Sequence, residues 1–171
     1  LFTPAKVRSY VEGLMEPIAH ELCDRMEGKD EVDFVSAFAR AYPFLVITRL
    51  LGIPIDSEDL FLQWALKMVD FPWDQEGSVR AKAEFDAYMQ GIIDDRRANP
   101  NGDFVSLLAT AEYEGERLSD ERILGFVGLL FPAGSDTAYK NGSSLFAHVL
   151  QGPALRALAQ KSDADREKLV A

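Results

Sequence analysis

Leu129-Leu130-Phe131-Pro132-Ala133-Gly134-Ser135-Asp136-Thr137 decides how this chain is read. The residues leading into it, Ile123, Leu124, Phe126 and Val127, continue into Leu129, Leu130 and Phe131 and leave almost no polar face. A helix that is apolar all round is a buried one. Ser119 suits an N-cap, and Asp120 and Glu121 suit the positive end of a helix. The stretch therefore sits in a predicted helix from about 119 to 151, a rod of roughly 45–50 Å. Pro132 lacks an N–H and crowds the carbonyl of Gly128, which predicts a bend or a widening at that point. Ala133 and Gly134 remove bulk, so a flat ligand can come close to the backbone. Asp136 and Thr137 set an acid and an alcohol beside the distorted turn, and a buried carboxylate is costly unless bonded or hydrated. Two readings stand at this stage: a proline kink with its polar pair turned to a surface groove, or a built site.

Working outward, the rest of the chain reads as helices. Thr3-Pro4 is an N-cap and first helical residue. Val7, Val11, Leu14, Met15, Ile18, Leu22 and Met26 follow at helical spacing, with Pro17 bending that helix or starting a second. The segment 32–51 is helical again, with a break at Pro43, and Gly52 and Pro54 stop it. Asp56-Ser57-Glu58-Asp59 opens a helix with Leu60, Phe61, Trp64 and Met68 on one face. An aromatic loop, Phe71 to Gly77, leads to a helix from about 78 to 98 striped by Phe85, Tyr88, Met89, Ile92 and Ile93. Asp94-Asp95-Arg96-Arg97 reads as a solvated face whose arginines match the negative helix end. Asp103 caps a short helix to about 112, Gly152-Pro153 restarts a helix, and Ser162 to Asp165 caps a last one holding Leu169 and Val170. No strand pattern is convincing, so the fold class is all-α.

Composition narrows the function. Eighteen Lys and Arg against 28 Asp and Glu leave a formal charge of −10, the wrong sign for nucleic-acid binding. No apolar run reaches the length of a membrane span. One cysteine forms no internal disulfide, which fits a reducing, cytoplasmic compartment. Cys23 reads as a buried structural thiol. His20 and Cys23 form an i, i+3 pair, but two ligands do not make a metal site, and His148 has no evident partner. No phosphate-cradling glycine loop, nucleophile elbow or catalytic triad appears.

Ala133-Gly134-Ser135-Asp136-Thr137 resembles the distal, oxygen-activating I-helix motif of the cytochrome P450 family, small-Gly-x-(Asp/Glu)-Thr. Gly115-Glu116-Arg117-Leu118-Ser119-Asp120-Glu121 looks like the loop entering that helix in soluble bacterial members. Leu50-Leu51-Gly52-Ile53-Pro54 and Arg96-Arg97-Ala98-Asn99-Pro100 stand before it in family order. The resemblance covers nearly the whole chain and implies helices D through J of a mainly-α haem-thiolate fold, so that residues 1–171 are a partial domain.

The resemblance implies roles for particular residues. Asp136 and Thr137 would relay protons in a dry haem pocket, where bulk water is excluded; alternatively, Thr137 bonds back to the Ala133 carbonyl, as mid-helix threonines do. Ala133 and Gly134 would pass over the haem. Leu129 and Leu130 would face substrate, or pack in an ordinary core. Trp64, Met68, Phe71 and Trp73 fall where the family places a lid over its substrate channel, with Met68 and Phe71 the proposed substrate contacts, or they form a plain aromatic core. The implied reaction inserts one oxygen atom from O2 into an apolar small molecule, with NAD(P)H-derived electrons delivered through a ferredoxin-type donor.

The family's thiolate loop, Phe-x-x-Gly-x-x-x-Cys-x-Gly, is not in this sequence, and Cys23 lies mid-helix without it. The Glu-x-x-Arg motif of the K helix is expected just after Ala171, and the N-terminal sheet before Leu1. Two functions follow: the oxygen-activating part of a monooxygenase, residues 1–171 being inactive alone, or a haem-free helical piece that binds an apolar ligand or a partner chain through an exposed groove.

Overall fold

The computed structural model describes residues 3–54 and 58–162, the side chain of residue 58 excepted. The expected helix start at Asp56-Ser57 and the last helix beyond Ser162 lie outside the described residues. The elements run α1 (Pro4–Tyr10), a π-helical turn (Val11–Met15), α2 (Glu16–Asp24), a second π-turn (Val35–Ala39), α3 (Ala41–Leu51), α4 (Glu58–Val69), α5 (Gln75–Ala98), α6 (Phe104–Thr110), a hairpin β1 (Glu112–Tyr113) and β2 (Glu116–Arg117), α7 (Asp120–Gln151) and α8 (Pro153–Ala159).

Helix α7 is the axis. Ser119 caps it by accepting from the Arg122 amide, and three helices pack along it, α3, α4 and α5. Their meeting point is Phe131, which is fully buried. Its ring stacks on Phe85 of α5 at 4.7 Å and meets Phe61 of α4 and Phe44 of α3 edge-on at 6.2 and 6.3 Å. Edge-to-face and offset contacts of this kind contribute about 0.5–1.5 kcal/mol each beyond the area they bury. The expected stripe of α5 is confirmed in place: Phe85, Met89, Ile92 and Ile93 are buried and Tyr88 is half-buried, its hydroxyl donating to the Pro54 carbonyl at 2.9 Å.

The prolines behave differently from the sequence expectation. The segment around Pro132 is α-helical without interruption. Phe131, Pro132 and Ser135 are buried against neighbouring helices, and the helix does not widen there. The widening occurs at the two other helical prolines. Gly13, four residues before Pro17, lies in the first π-turn; Ala39, four residues before Pro43, lies in the second. A proline ring crowds the carbonyl of residue i−4, and an i→i+5 turn moves that carbonyl out of the way. The Glu16 amide accordingly donates to Val11 and the Arg40 amide to Val35.

Four further expectations are corrected. Helix α5 begins at Gln75, not near 78, because Asp74 caps it by accepting from the Gly77 amide at 2.9 Å, and a Cβ on Gly77 would collide with that carboxylate. Residues 112–117 form a two-stranded antiparallel hairpin, Glu112 opposite Arg117 and Tyr113 opposite Glu116; Glu114 and Gly115 turn it with positive φ of 54° and 84°. Cys23 is exposed, because α2 turns Ile18 and Leu22 inward and leaves Cys23 on the outer side. Arg96 and Arg97 are not a solvated face. Arg96 donates to Asp103 at 2.7 Å and to the Gly52 carbonyl at 3.4 Å, and Arg97 donates to Asp120 and to the Ala109 and Leu118 carbonyls. Together they tie the end of α5 to α3, α6 and α7. No helix among the described residues is long and apolar enough to cross a membrane.

Candidate functional site

Helix α7 has one open face, so it is not buried all round. Leu129, Ala133 and Thr137 recur every four residues and are exposed, Leu129 by 72%. The stripe is apolar except for the Thr137 hydroxyl, which makes no hydrogen bond to any described residue. The back-bond expected of a mid-helix hydroxyl is made two residues earlier, where Ser135 Oγ donates to the Phe131 carbonyl at 2.9 Å.

Asp136 points to a different side. Its carboxylate is largely buried, at 14% exposure, and Oδ2 accepts from Lys140 Nζ at 2.7 Å. It shares a small cavity of about 10 Å³ with Arg40, Leu62, Tyr139 and Ser135, between α7, α4 and the start of α3. The acid and the alcohol are therefore consecutive in sequence but address different surroundings: Thr137 the open stripe, Asp136 the helix packing.

The other sequence-selected residues divide in the same way. Ala133 is on the open stripe. Gly134 is turned to α3, and a Cβ there would lie 3.0 Å from Ile47 Cδ1, so its missing side chain is filled by the neighbouring helix. Leu130 packs against the core. Met68, near the end of α4, also packs against the core, and its carbonyl accepts from Ser78 Oγ at 3.1 Å. Phe71 and Trp73, in the turn after α4, are 50% and 84% exposed, while Trp64 is buried and donates from Nε1 to Glu84 at 2.9 Å. The structure thus gathers Leu129, Ala133 and Thr137, sets Asp136 beside them, and leaves Met68 and Phe71 on a separate element.

Two residues around Asp136 escaped the sequence reading. Lys140 was legible as an i, i+4 partner on the same helix. Arg40 carried no local signal, because it reaches the site from a stretch nearly a hundred residues away in sequence.

On the α3 side of α7 an apolar groove of about 500 Å³ is walled by Met15, Ala19, Phe38, Tyr42, Val46, Gly134 and Phe146. Phe34, Phe38 and Tyr42 form a continuous ring stack along it, with Phe146 edge-on to Phe34 and Phe38. Among the described residues no group of three or more His, Cys, Asp or Glu is placed to hold a metal ion.

No family model matches the chain. Individual proteins do. It is 36% identical over 137 residues to the polyketide biosynthesis cytochrome P450 PksS of Bacillus subtilis (strain 168), which covers 80% of this chain and 34% of that protein. It is 34% identical over 130 residues to cytochrome P450 107B1 of Saccharopolyspora erythraea, covering 74% of this chain and 32% of that one. The solved structure of the Bacillus PksS protein superposes with a TM-score of 0.84 at 34% identity, over 94% of this chain and 42% of the other. The chain spans 32–42% of the length of these relatives. Similar over most of its residues both in sequence and in the course of its backbone, the chain belongs to the cytochrome P450 family.

Proposed function

We propose that these residues form the distal, oxygen-activating part of a haem-thiolate monooxygenase, within a haem-binding domain larger than residues 1–171. One observation carries the reading: an open apolar stripe, Leu129-Ala133-Thr137, with a single unpartnered hydroxyl and a largely buried carboxylate on the adjoining residue. The stripe fits one face of a flat macrocycle. Ala133 adds little bulk at its centre, Leu129 supplies apolar contact above, and Thr137 ends it with the one group able to exchange a proton. The donor set fits only that face. Cys23 lies on the outer side of α2 and is not the thiolate, which we place outside these residues.

When bound, the haem supplies the activation of O2. The chain's own part is to exclude water and to manage protons. With the macrocycle seated on it the stripe would be covered, Leu129 adding apolar contact, so that protons would not arrive through bulk solvent. The Thr137 hydroxyl accepts one hydrogen bond and donates another at the open face. Asp136, on the adjoining residue with Lys140 donating to one of its oxygens, is the acid through which a proton would be handed on to Thr137. The substrate is an apolar small molecule, with Leu129, Leu130, Met68 and Phe71 as its contacts. Electrons come from NAD(P)H through a ferredoxin-type donor, in the cytoplasm.

In the complete haem-loaded protein, Thr137→Ala and Asp136→Asn should release hydrogen peroxide in place of product while substrate binding persists. Product per NAD(P)H equal to the parent's in both variants removes the relay. The alternative, a haem-free helical module, rests on the 500 Å³ apolar groove. It requires the 171-residue chain to be monomeric, to melt cooperatively and to bind an apolar dye stoichiometrically; an aggregated or non-cooperative chain rejects it.

A further inference from the structure

We propose that Asn101 is a site of spontaneous deamidation, with the Gly102 amide nitrogen as nucleophile and water as co-reactant. The chain holds three asparagines, Asn99, Asn101 and Asn141. Deamidation begins when the amide nitrogen of the following residue attacks the asparagine Cγ. Asn99 is followed by Pro100, whose nitrogen has no hydrogen to lose. Asn101 and Asn141 are both followed by glycine, which hinders the attack least, so their sequences do not tell them apart. The fold does.

Asn141-Gly142 lies inside α7. A helical amide is committed to the carbonyl four residues before it, and the helix must open before that nitrogen can turn to a side chain. Asn101-Gly102 lies in the loop between α5 and α6, and both residues are exposed. Gly102 has a φ of 85°, and a Cβ there would meet nothing within 4 Å. Its N–H makes no hydrogen bond to any described residue, so it can lose its proton to water. The Asn101 carbonyl group is held in place: Oδ1 accepts from the Asp103 amide at 2.9 Å and from the Ser106 hydroxyl at 2.9 Å. Both donors bear on the oxygen that gains negative charge as Cγ becomes tetrahedral, the arrangement that stabilises such an intermediate in acyl transfer.

The bond from Gly102 N to Cγ forms and the Cγ–Nδ2 bond breaks. The proton from Gly102 leaves with ammonia, and a succinimide ring closes across the two residues. Water then opens the ring at either carbonyl, leaving an aspartyl or an isoaspartyl link. No electron is gained or lost. Either product alters the start of α6. Asn101 is one of the groups that hydrogen-bond the Asp103 carboxylate, and the new acid would repel that carboxylate, which Arg96 ties to the end of α3.

The test incubates the complete protein at neutral pH, native and in denaturing urea, and follows each asparagine by peptide mass and by isoaspartyl labelling. Asn101→Asp serves as the standard for the aspartyl product. The native rate divided by the rate in urea should be at least about 5-fold greater at Asn101 than at Asn141. A smaller difference, or an Asn101 that stays intact in the native protein, overturns the site. Ser106→Ala, which takes one donor from Oδ1, should slow the native reaction at Asn101 by at least about 3-fold and leave its rate in urea at the parent value. A smaller slowing, or a faster reaction, overturns the part given to the donors. The comparison of Asn101 with Asn141 needs no variant, so it stands whether or not Ser106→Ala folds.

Discussion

Arg97 and Asp120 close the N-terminal end of the long helix. Both Nε and Nη2 of Arg97 donate to Asp120 Oδ1, at 2.9 and 2.5 Å, while the same guanidinium donates to the Ala109 carbonyl at 2.9 Å and the Leu118 carbonyl at 2.7 Å. One side chain therefore satisfies the end of α6, the strand leaving the hairpin and the first turn of α7. Arg97→Leu should cost about 2–4 kcal/mol in urea unfolding, since it strands two carbonyls and a carboxylate. Arg97→Lys should recover less than half, because an ammonium cannot reach all three acceptors. A loss under about 0.5 kcal/mol in Arg97→Leu would show the pairing to be ornamental.

Asp103 should make part of the stability depend on acid. Burial pushes its carboxyl up, but hydrogen bonds from Arg96, Ser106 and Asn101 outweigh this and hold it below the ordinary 3.8. A carboxyl lowered by folding stabilises fully above its unfolded value and loses that contribution as pH falls through the folded one. The unfolding free energy should therefore drop as pH falls below about 4, and Asp103→Asn should flatten that part of the profile. Urea melts between about pH 5 and pH 2 measure it, and an unchanged slope in Asp103→Asn rejects the assignment.

Gly134 and Ile47 should behave as a coupled pair. Gly134→Ala gains about 1 kcal/mol of helix propensity and loses about 1–3 to crowding against Ile47 Cδ1, 3.0 Å away. Ile47→Val removes that methyl. The double variant should be more stable than the sum of the singles by about 1 kcal/mol, and strict additivity would mean the helices part to absorb the methyl.

Thr137 and Thr48 give a matched contrast. Thr48 is fully buried and donates to the Phe44 carbonyl at 2.8 Å, so Thr48→Val should cost about 1 kcal/mol. Thr137→Val should change stability by less than about 0.5 kcal/mol, because its hydroxyl has no partner to lose. A comparable loss at both sites would mean that Thr137 is structural.

Cys23 should react with a thiol reagent in the native protein at a rate within about threefold of that in denaturant, since exposure governs access. A protected thiol would restore the sequence expectation that it is buried.

What could be read from sequence was whatever depends on neighbours along the chain. The caps at Thr3, Asp103 and Ser119, the stripe of α5 and the left-handed stop at Gly52 all follow from short-range rules. The five-residue motif also identified the long helix. The errors have a common origin in contacts between distant segments. Arg96 and Arg97 look like helix-end charges until Asp103 and Asp120 are brought to them. Pro132 looks like a point of widening, yet the helix runs through it as α, with Phe131 beside it closed in by Phe44, Phe61 and Phe85. Arg40 is invisible from the motif because only the fold sets it beside Asp136. Which side of α2 carries Cys23 depends on how α2 meets α3, and a mixed apolar pattern does not fix that rotation.

The two π-turns amount to one spare residue each in a pair of helices. Deleting Gly13 would let the chain close as an ordinary α-helix, but it would also return a carbonyl to the Pro17 ring. The deletion should therefore be tolerated together with Pro17→Ala and poorly tolerated alone, and the same bargain should hold for Ala39 with Pro43. At these two points the length of the chain and the presence of a proline are a single inherited variable: a relative one residue shorter there should also have lost the proline.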